Sequence, residues 1–227
     1  MERKIVVAVD GPAGSGKSSV SKEVAVKAGL KYVDSGALYR SVTWYMLGKF
    51  GSVEAGRDYG AIAAAEMAVE QRFGPDGRSV TFVNGTDVSQ LIRDEKITGN
   101  IGIISDNIGV REFVNGLLRR WAGAESIIMD GRDIGTVVFP AADLKIYCDA
   151  SVDVRAERRF REYAEAGKKV DVNDIKKQII LRDEQDRNRK YGALRIADDA
   201  IVLDTSAMPK DQVVSAFLGL IREKRGS

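Results

Sequence analysis

The stretch "KIVVAVDGPAGSGKSSVSKEVAVKAG", residues 4–29, decides the fold. Its apolar, β-branched opening ends at Gly11 and reads as a buried parallel strand. From Ser18 to Gly29 the pattern is helical, and the glycine stops it. Between them Gly11, Pro12, Ala13, Gly14, Ser15, Gly16, Lys17 and Ser18 fit G-x-x-x-x-G-K-S. Glycines let backbone N–H groups converge on an anion with no Cβ in the way. The helix N-terminus adds partial positive charge. Lys17 suits β- and γ-phosphates and Ser18 suits Mg²⁺. An ordinary glycine-rich turn would not need both flanking elements.

Outward from this loop, strands and helices alternate. "KYVDSG" reads as a strand and turn, and "ALYRSVTWYMLGKFG" as a helix. "VREFVNGLLRRWAG" is a further helix, and "SIIMDGRD" and "DLKIYCDA" are buried strands. Ser151 caps a basic helix that ends before Gly167, and a second charged helix spans Val172 to Tyr191. "AIVLDTS" is a last strand, and "KDQVVSAFLGLIREK" a closing helix. The expected fold class is α/β, a P-loop NTPase-type parallel sheet flanked by helices. From about Met67 to Ser89 the pattern changes to short strands, "AVEQRF", "SVTFV" and "TDV", parted by the turn signals "GPDG" and "NG". This predicts a small antiparallel insert.

Composition narrows the function classes. The 227 residues suit a single domain with an insert, and 44% hydrophobic with 30% charged residues is ordinary for a soluble protein. A net charge of +2 demands neither nucleic acid nor an anionic membrane. The single cysteine, Cys148, excludes an internal disulfide, reads as a packed thiol, and fits a reducing, cytoplasmic setting. The absence of histidine removes every mechanism with a histidine base or ligand. No run approaches the roughly 20 apolar residues of a membrane span, and the "IVVAV" run is too short for a signal segment. A monomer is expected.

The later strands carry a second set of polar groups. "SIIMD" ends in Asp130, either a magnesium anchor acting through water or a plain strand-end aspartate. Arg132 and Asp133 follow on the rim where α/β sheets bind ligands. Ser35, the Gly36 turn and Arg40 lie at the start of the second helix. Paired arginines bind phosphate oxygens through a planar fork. Arg182, Asp186 and Arg189 are at i, i+4 and i+7, so they fall within roughly 60° on one helix face. Spacing alone also fits a solvated face with ion pairs. The basic helix before it, with Arg155, Arg158, Arg159 and Arg161, makes a lid over polyphosphate the alternative.

At these residues the chain resembles the bacterial cytidylate kinases, a branch of the nucleoside monophosphate kinases. The matching segments are "DGPAGSGKSSVSK", "DSGALYR", "DGRDIGTVVFP", "LKIYCDAS", "RDEQDRNR" and "DAIVLDTS", in the family's order from residue 9 to residue 206. The resemblance implies transfer of the ATP γ-phosphoryl group to CMP or dCMP, with Mg²⁺ as cofactor. It implies an ATP site at Gly11 to Ser19, with the lid arginines Arg158 and Arg159. It implies that Ser35, Gly36, Arg40, Arg132, Arg182, Asp186 and Arg189 hold CMP, with Lys17, Arg132, Arg182 and Arg189 catalytic. Arg111 and Asp133 would read the pyrimidine. Residues of about 60–100 would form the monophosphate-binding subdomain, and about 151–191 the mobile lid. Two positions depart from the pattern. The family's base-contacting serine aligns with Gly102, and either Ser105 replaces it or the contact is missing. Ala193-Leu194 stands where the family has Pro-Leu. The rivals are a kinase for UMP or another small acceptor, and a nucleotide-dependent binding module.

Overall fold

The computed structural model describes residues 4–74, 79–123 and 125–226. Five strands form one parallel sheet: β1 (Val6–Asp10), β2 (Lys31–Asp34), β6 (Ile127–Gly131), β7 (Leu144–Asp149) and β8 (Ile201–Asp204). Their spatial order is β2-β6-β1-β7-β8. Successive strand residues face opposite sides, so the sheet feeds two cores. Val7, Val9, Ile128, Ile146 and Cys148 pack under α1 (Lys17–Ala28) and α8 (Lys210–Gly226). Ala8, Ile127 and Met129 pack on the other face with α2 (Ser35–Phe50) and α5 (Ile108–Ala122).

Register decides where the chemistry sits. Asp10 pairs with Gly131 and with Tyr147, and Asp34 with Asp130. The C-terminal ends of β1, β2, β6 and β7 therefore share one rim, the ligand edge of such sheets. The buried Asp10 carboxylate accepts from Ile134 N at 2.8 Å and Gly135 N at 2.7 Å. That pins a π-helical turn, Ile134–Val138, directly beneath the rim and fixes Asp133 at its start.

The predicted insert is an antiparallel sheet of β3 (Val69–Phe73), β4 (Ser79–Val83) and β5 (Thr86–Asp87). Its Asn84-Gly85 turn has Asn84 at φ 49°, as the hairpin dipeptide predicts. Most of the "GPDG" turn lies outside the described residues. Helices α3 (Tyr59–Glu66) and α4 (Glu95–Asp106) flank this sheet, and neither has a clear signal in the sequence. Val69, Val83, Val88, Ile92 and Ile97 join the core that holds Leu38, Val42 and Met46 of α2. Among the described residues, no helix is long and apolar enough to cross a membrane.

Two boundaries differ from the sequence reading. Ser35 and Gly36 are not a turn; Asp34 caps α2 by accepting from Ala37 N, so they form its first turn. The late helix α7 (Val172–Asn188) stops before Tyr191, because Arg189 leaves helical geometry at ψ 135°. Ser151 does cap α6 (Val152–Glu165), accepting from Val154 N. Helices α6 and α7 share only a small apolar cluster centred on Ala156, Ile175 and Ile179.

A buried ion pair supplements that cluster. Arg155 on α6 donates to both oxygens of Asp183 on α7, at 3.1 and 2.7 Å. Its remaining donors reach Ala150 O at 2.9 Å and Ala13 O in the phosphate loop at 3.1 Å. Removing one partner strands a buried charge. Arg155→Ala is therefore expected to cost about 3–5 kcal/mol in urea unfolding, whereas Arg155→Met with Asp183→Leu should cost far less. Equal losses in both variants would contradict this reading.

Candidate active site

The phosphate loop lies against the end of β7. A Cβ on Gly11 would sit 2.1 Å from Cys148 O, so only glycine allows this approach. Lys17 is buried, and its Nζ donates to Pro12 O at 2.9 Å. Burial first, and then the Arg132 charge, lower the Lys17 ammonium to about 7. Ser18 Oγ donates to one oxygen of Asp130 at 2.5 Å, and Tyr32 Oη donates to the other at 2.5 Å. Burial and the Asp34 charge push the Asp130 carboxyl up. Arg158 crosses from α6 to donate to Ser15 O at 3.2 Å and Thr205 O at 2.6 Å. A cleft lined by Gly16, Cys148, Arg158, Thr205 and Met208 opens beside the loop.

On the other side of Lys17, guanidinium groups converge. Arg132 Nε donates to Asp186 Oδ2 at 2.6 Å, and Arg189 Nη2 reaches Asp186 Oδ1 at 3.1 Å. Burial works against the Asp186 carboxylate, yet Arg132, Arg189 and Arg182 together hold it below the usual range. Arg40 folds back over the first turn of α2, its Nη1 3.0 Å from where a Gly36 Cβ would be. Arg182 is pressed below the usual guanidinium range, first by burial and then by Arg132, with Arg40 and Arg159 adding to it. Neither Arg40 nor Arg182 makes a hydrogen bond or ion pair among the described residues. Two unpaired cations beside the loop leave fork-shaped donors that can pair with a further anion.

Beyond the arginines lies a narrower end. Arg111, on α5, is buried and donates from Nη2 to Asp133 Oδ2 at 2.5 Å and from Nη1 to Ser105 O at 2.9 Å. Its Nε is buried without a partner. The rings of Tyr39 and Tyr191 lie 5.4 and 5.8 Å from the guanidinium carbon. Burial raises the Asp133 carboxyl, and the Arg111 charge opposes that rise.

The fold thus brings Gly11 to Ser19, Ser35, Gly36, Arg40, Arg111, Asp130, Arg132, Asp133, Arg158, Arg182, Asp186 and Arg189 to one cleft at the rim. Some details differ from expectation. Ser35 Oγ is turned inward, donating to Asp130 O at 2.6 Å. Arg159 faces away from the loop, paired with Glu162 at 2.9 Å and stacked on Tyr163. Gly102 is exposed, and beyond its own helix nothing lies within 4 Å of a Cβ built there. Ser105 reaches the site instead through its backbone oxygen, while its hydroxyl accepts from Arg189 Nη2 at 3.4 Å. Sequence reasoning missed Asp10, Tyr32, Asp183 and Thr205. Their signal was positional only: Asp10 and Thr205 each directly follow or end an apolar strand run.

Comparison with known proteins agrees with this geometry. The family model described as Cytidylate kinase matches residues 7–223. The cytidylate kinase of Listeria monocytogenes serovar 1/2a is 41% identical over 224 residues, covering 99% of this chain and 99% of that protein. That of Thermodesulfovibrio yellowstonii is 40% identical, covering 97% and 99%. That of Bacillus licheniformis is 36% identical, covering 99% of each. Among solved structures, an uncharacterized protein from Eubacterium ventriosum aligns with a TM-score of 0.52 at 12% identity, covering 96% of this chain and 99% of that one. That likeness concerns the fold alone.

The depressed Lys17 has a measurable consequence. Its folded pKa of about 7 lies below the unfolded value, so the unfolded chain holds the extra proton between about 7 and 10.5. Its contribution to stability therefore rises with pH across that window. Bound phosphates favour the ammonium, so ATP binding at pH 8.5 should take up close to one proton, and none below pH 6. Calorimetry in two buffers of different ionisation enthalpy measures this. Uptake that persists in Lys17→Met would assign the proton to another group.

Proposed function

This chain belongs to the cytidylate kinase family, and on that premise we propose that it transfers the γ-phosphoryl group of ATP to CMP or dCMP. The products are ADP and CDP or dCDP. It is a nucleoside monophosphate kinase. The observation that carries the choice of acceptor is the buried Arg111–Asp133 pair, with its unpartnered Arg111 Nε. Asp133 Oδ2 is taken by Arg111, and Oδ1 makes no hydrogen bond among the described residues. A carboxylate oxygen accepts from the cytosine N4 amino group, and a guanidinium N–H donates to N3 or O2. Uracil offers a carbonyl and an N–H in the first two places, which would set oxygen against oxygen. Leaving such buried groups unpaired discriminates strongly.

The donor phosphates would lie along Gly11 to Ser19, with the base in the cleft between Arg158 and the Thr205–Met208 turn. Ser18 and Asp130 are hard oxygen donors in contact at the rim and fit Mg²⁺, which keeps water and phosphate oxygens for the rest of its shell. When bound, the ion neutralises charge on the β- and γ-phosphates. Arg40 and Arg182 would grip the acceptor phosphate. Arg132 and Arg189, now on Asp186, would turn toward the moving phosphoryl group. Phosphoryl transfer passes through a loose, charge-rich transition state, so positioned cations do the catalysis and no strong base is needed.

Residues of about 60–100 serve as the acceptor-binding subdomain and about 151–191 as the lid. Lys168 in the α6–α7 connection already forms an ion pair with Glu95 at the start of α4. Lid closure excludes water, which would otherwise take the phosphoryl group. A single packed cysteine and two small-molecule substrates fit a cytoplasmic monomer.

Two substitutions test the donor and the acceptor ends separately. Lys17→Ala should lower kcat by about 10²-fold or more, far more than it changes folding stability, and wild-type-like turnover would defeat the phosphate-loop assignment. Asp133→Ala should narrow the CMP over UMP preference in kcat/KM by about tenfold or more. An unchanged ratio would reject its base-reading role.

A further inference from the structure

The turn after α7 makes an unusually close approach to the base-reading pair. Gly192 sits there in the left-handed region, at φ +68°. A Cβ built on it would lie 2.2 Å from Arg111 Nη2, 2.6 Å from Arg111 Cζ and 2.4 Å from Asp133 Oδ2. No real Cβ tolerates such distances, so the pair can hold its present geometry only while residue 192 is glycine. The rings of the neighbouring Tyr191 and of Tyr39 on α2 lie 5.8 and 5.4 Å from the Arg111 guanidinium carbon. The Arg111 Nη2 and Asp133 Oδ2 atoms that Gly192 abuts are the two that bond to each other. Asp133 Oδ1 and the remaining N–H groups of Arg111, its Nε among them, make no hydrogen bond among the described residues and are left for a base.

We propose that Gly192 is a specificity-determining positioning residue: its bare backbone backs the Arg111–Asp133 pair and sets the pair's free donor and acceptor at the spacing that suits cytosine. This deepens the functional reading above and rests on it. The Gly102 position, open and exposed, contributes no such restraint. Discrimination in this chain therefore depends on how rigidly the pair is backed. Residue 192 acts through Arg111 and Asp133 and touches no substrate, so its effect should fall on the acceptor and leave the donor alone.

The test compares two left-handed glycines. Gly29, at φ +65°, has nothing within 4 Å of its built Cβ, so Gly29→Ala carries the same backbone strain without the collision. The expected result is that Gly192→Ala lowers the CMP:UMP ratio of kcat/KM by about tenfold or more. KM for CMP should rise while KM for ATP stays within about twofold, since the collision does not reach the phosphate loop. Gly29→Ala should lower Tm and leave the ratio at its wild-type value. An unchanged ratio in Gly192→Ala, or an equal loss in Gly29→Ala, overturns the proposal. If Gly192→Ala does not fold, Asp133→Ala/Gly192→Ala is compared with Asp133→Ala. Truncating Asp133 vacates the space and frees the flexible guanidinium, so the two should match in ratio, the double variant losing only the Tm that backbone strain takes from Gly29→Ala. A further fall in the ratio of the double variant would place the effect of Gly192 elsewhere and overturn the proposal. A wild-type enzyme that phosphorylates UMP as well as CMP would sink the functional reading itself, whatever the variants do.

Discussion

Guanidinium groups repel one another, and a half-buried cleft that gathers several of them must supply carboxylates to hold them. This constraint organises the rim. Arg155 is held by Asp183, Arg111 by Asp133, and Arg132 with Arg189 by Asp186. Each pair also ties separate elements together: α6 to α7, α5 to the turn after β6, and the end of β6 to α7. The charges therefore shape the cleft as well as line it. Arg40 and Arg182 stand outside this scheme, unpaired and facing the same space. An acceptor phosphate bound as proposed would complete the compensation and would also compete with Asp186 for Arg132 and Arg189.

The donor side follows a different logic. There the backbone does the binding, and the requirement is room. Gly11 passes against the Cys148 carbonyl, and β1, β6 and β7 end in register around it. Asp10, one residue before the loop, is tied to the turn that carries Asp133. Burial lifts its carboxyl to about 6 although two backbone N–H groups pull the other way. The phosphate loop and the turn that carries Asp133 are thus anchored to one buried side chain, which fixes their separation.

Much of this was legible in the sequence because it rests on local signals. The strand–glycine loop–helix pattern at residues 4–29, the apolar run ending in Asp130, and the Asn84-Gly85 hairpin each depend on neighbours within a few residues. Helices α3 and α4 were not legible, because α4 carries Gly99 and Gly102 and α3 is an alanine-rich helix of only eight residues. The inward turn of Ser35, the withdrawal of Arg159 onto Glu162, and the collision space at Gly192 are products of tertiary packing. No spacing rule reaches them. The Gly102 departure was visible, but only the geometry of α4 showed that a Cβ there would stand in open space.

The proposed function requires one cleft to match a donor triphosphate to a cytidine monophosphate. A coupled assay of the wild-type enzyme with ATP and Mg²⁺, run side by side on CMP, dCMP, UMP and AMP, tests it most directly. The account expects CMP or dCMP to be phosphorylated far ahead of UMP and AMP, with little ATP consumed when no acceptor is present. Equal rates on UMP or AMP, or ATP hydrolysis that ignores the acceptor, would contradict it.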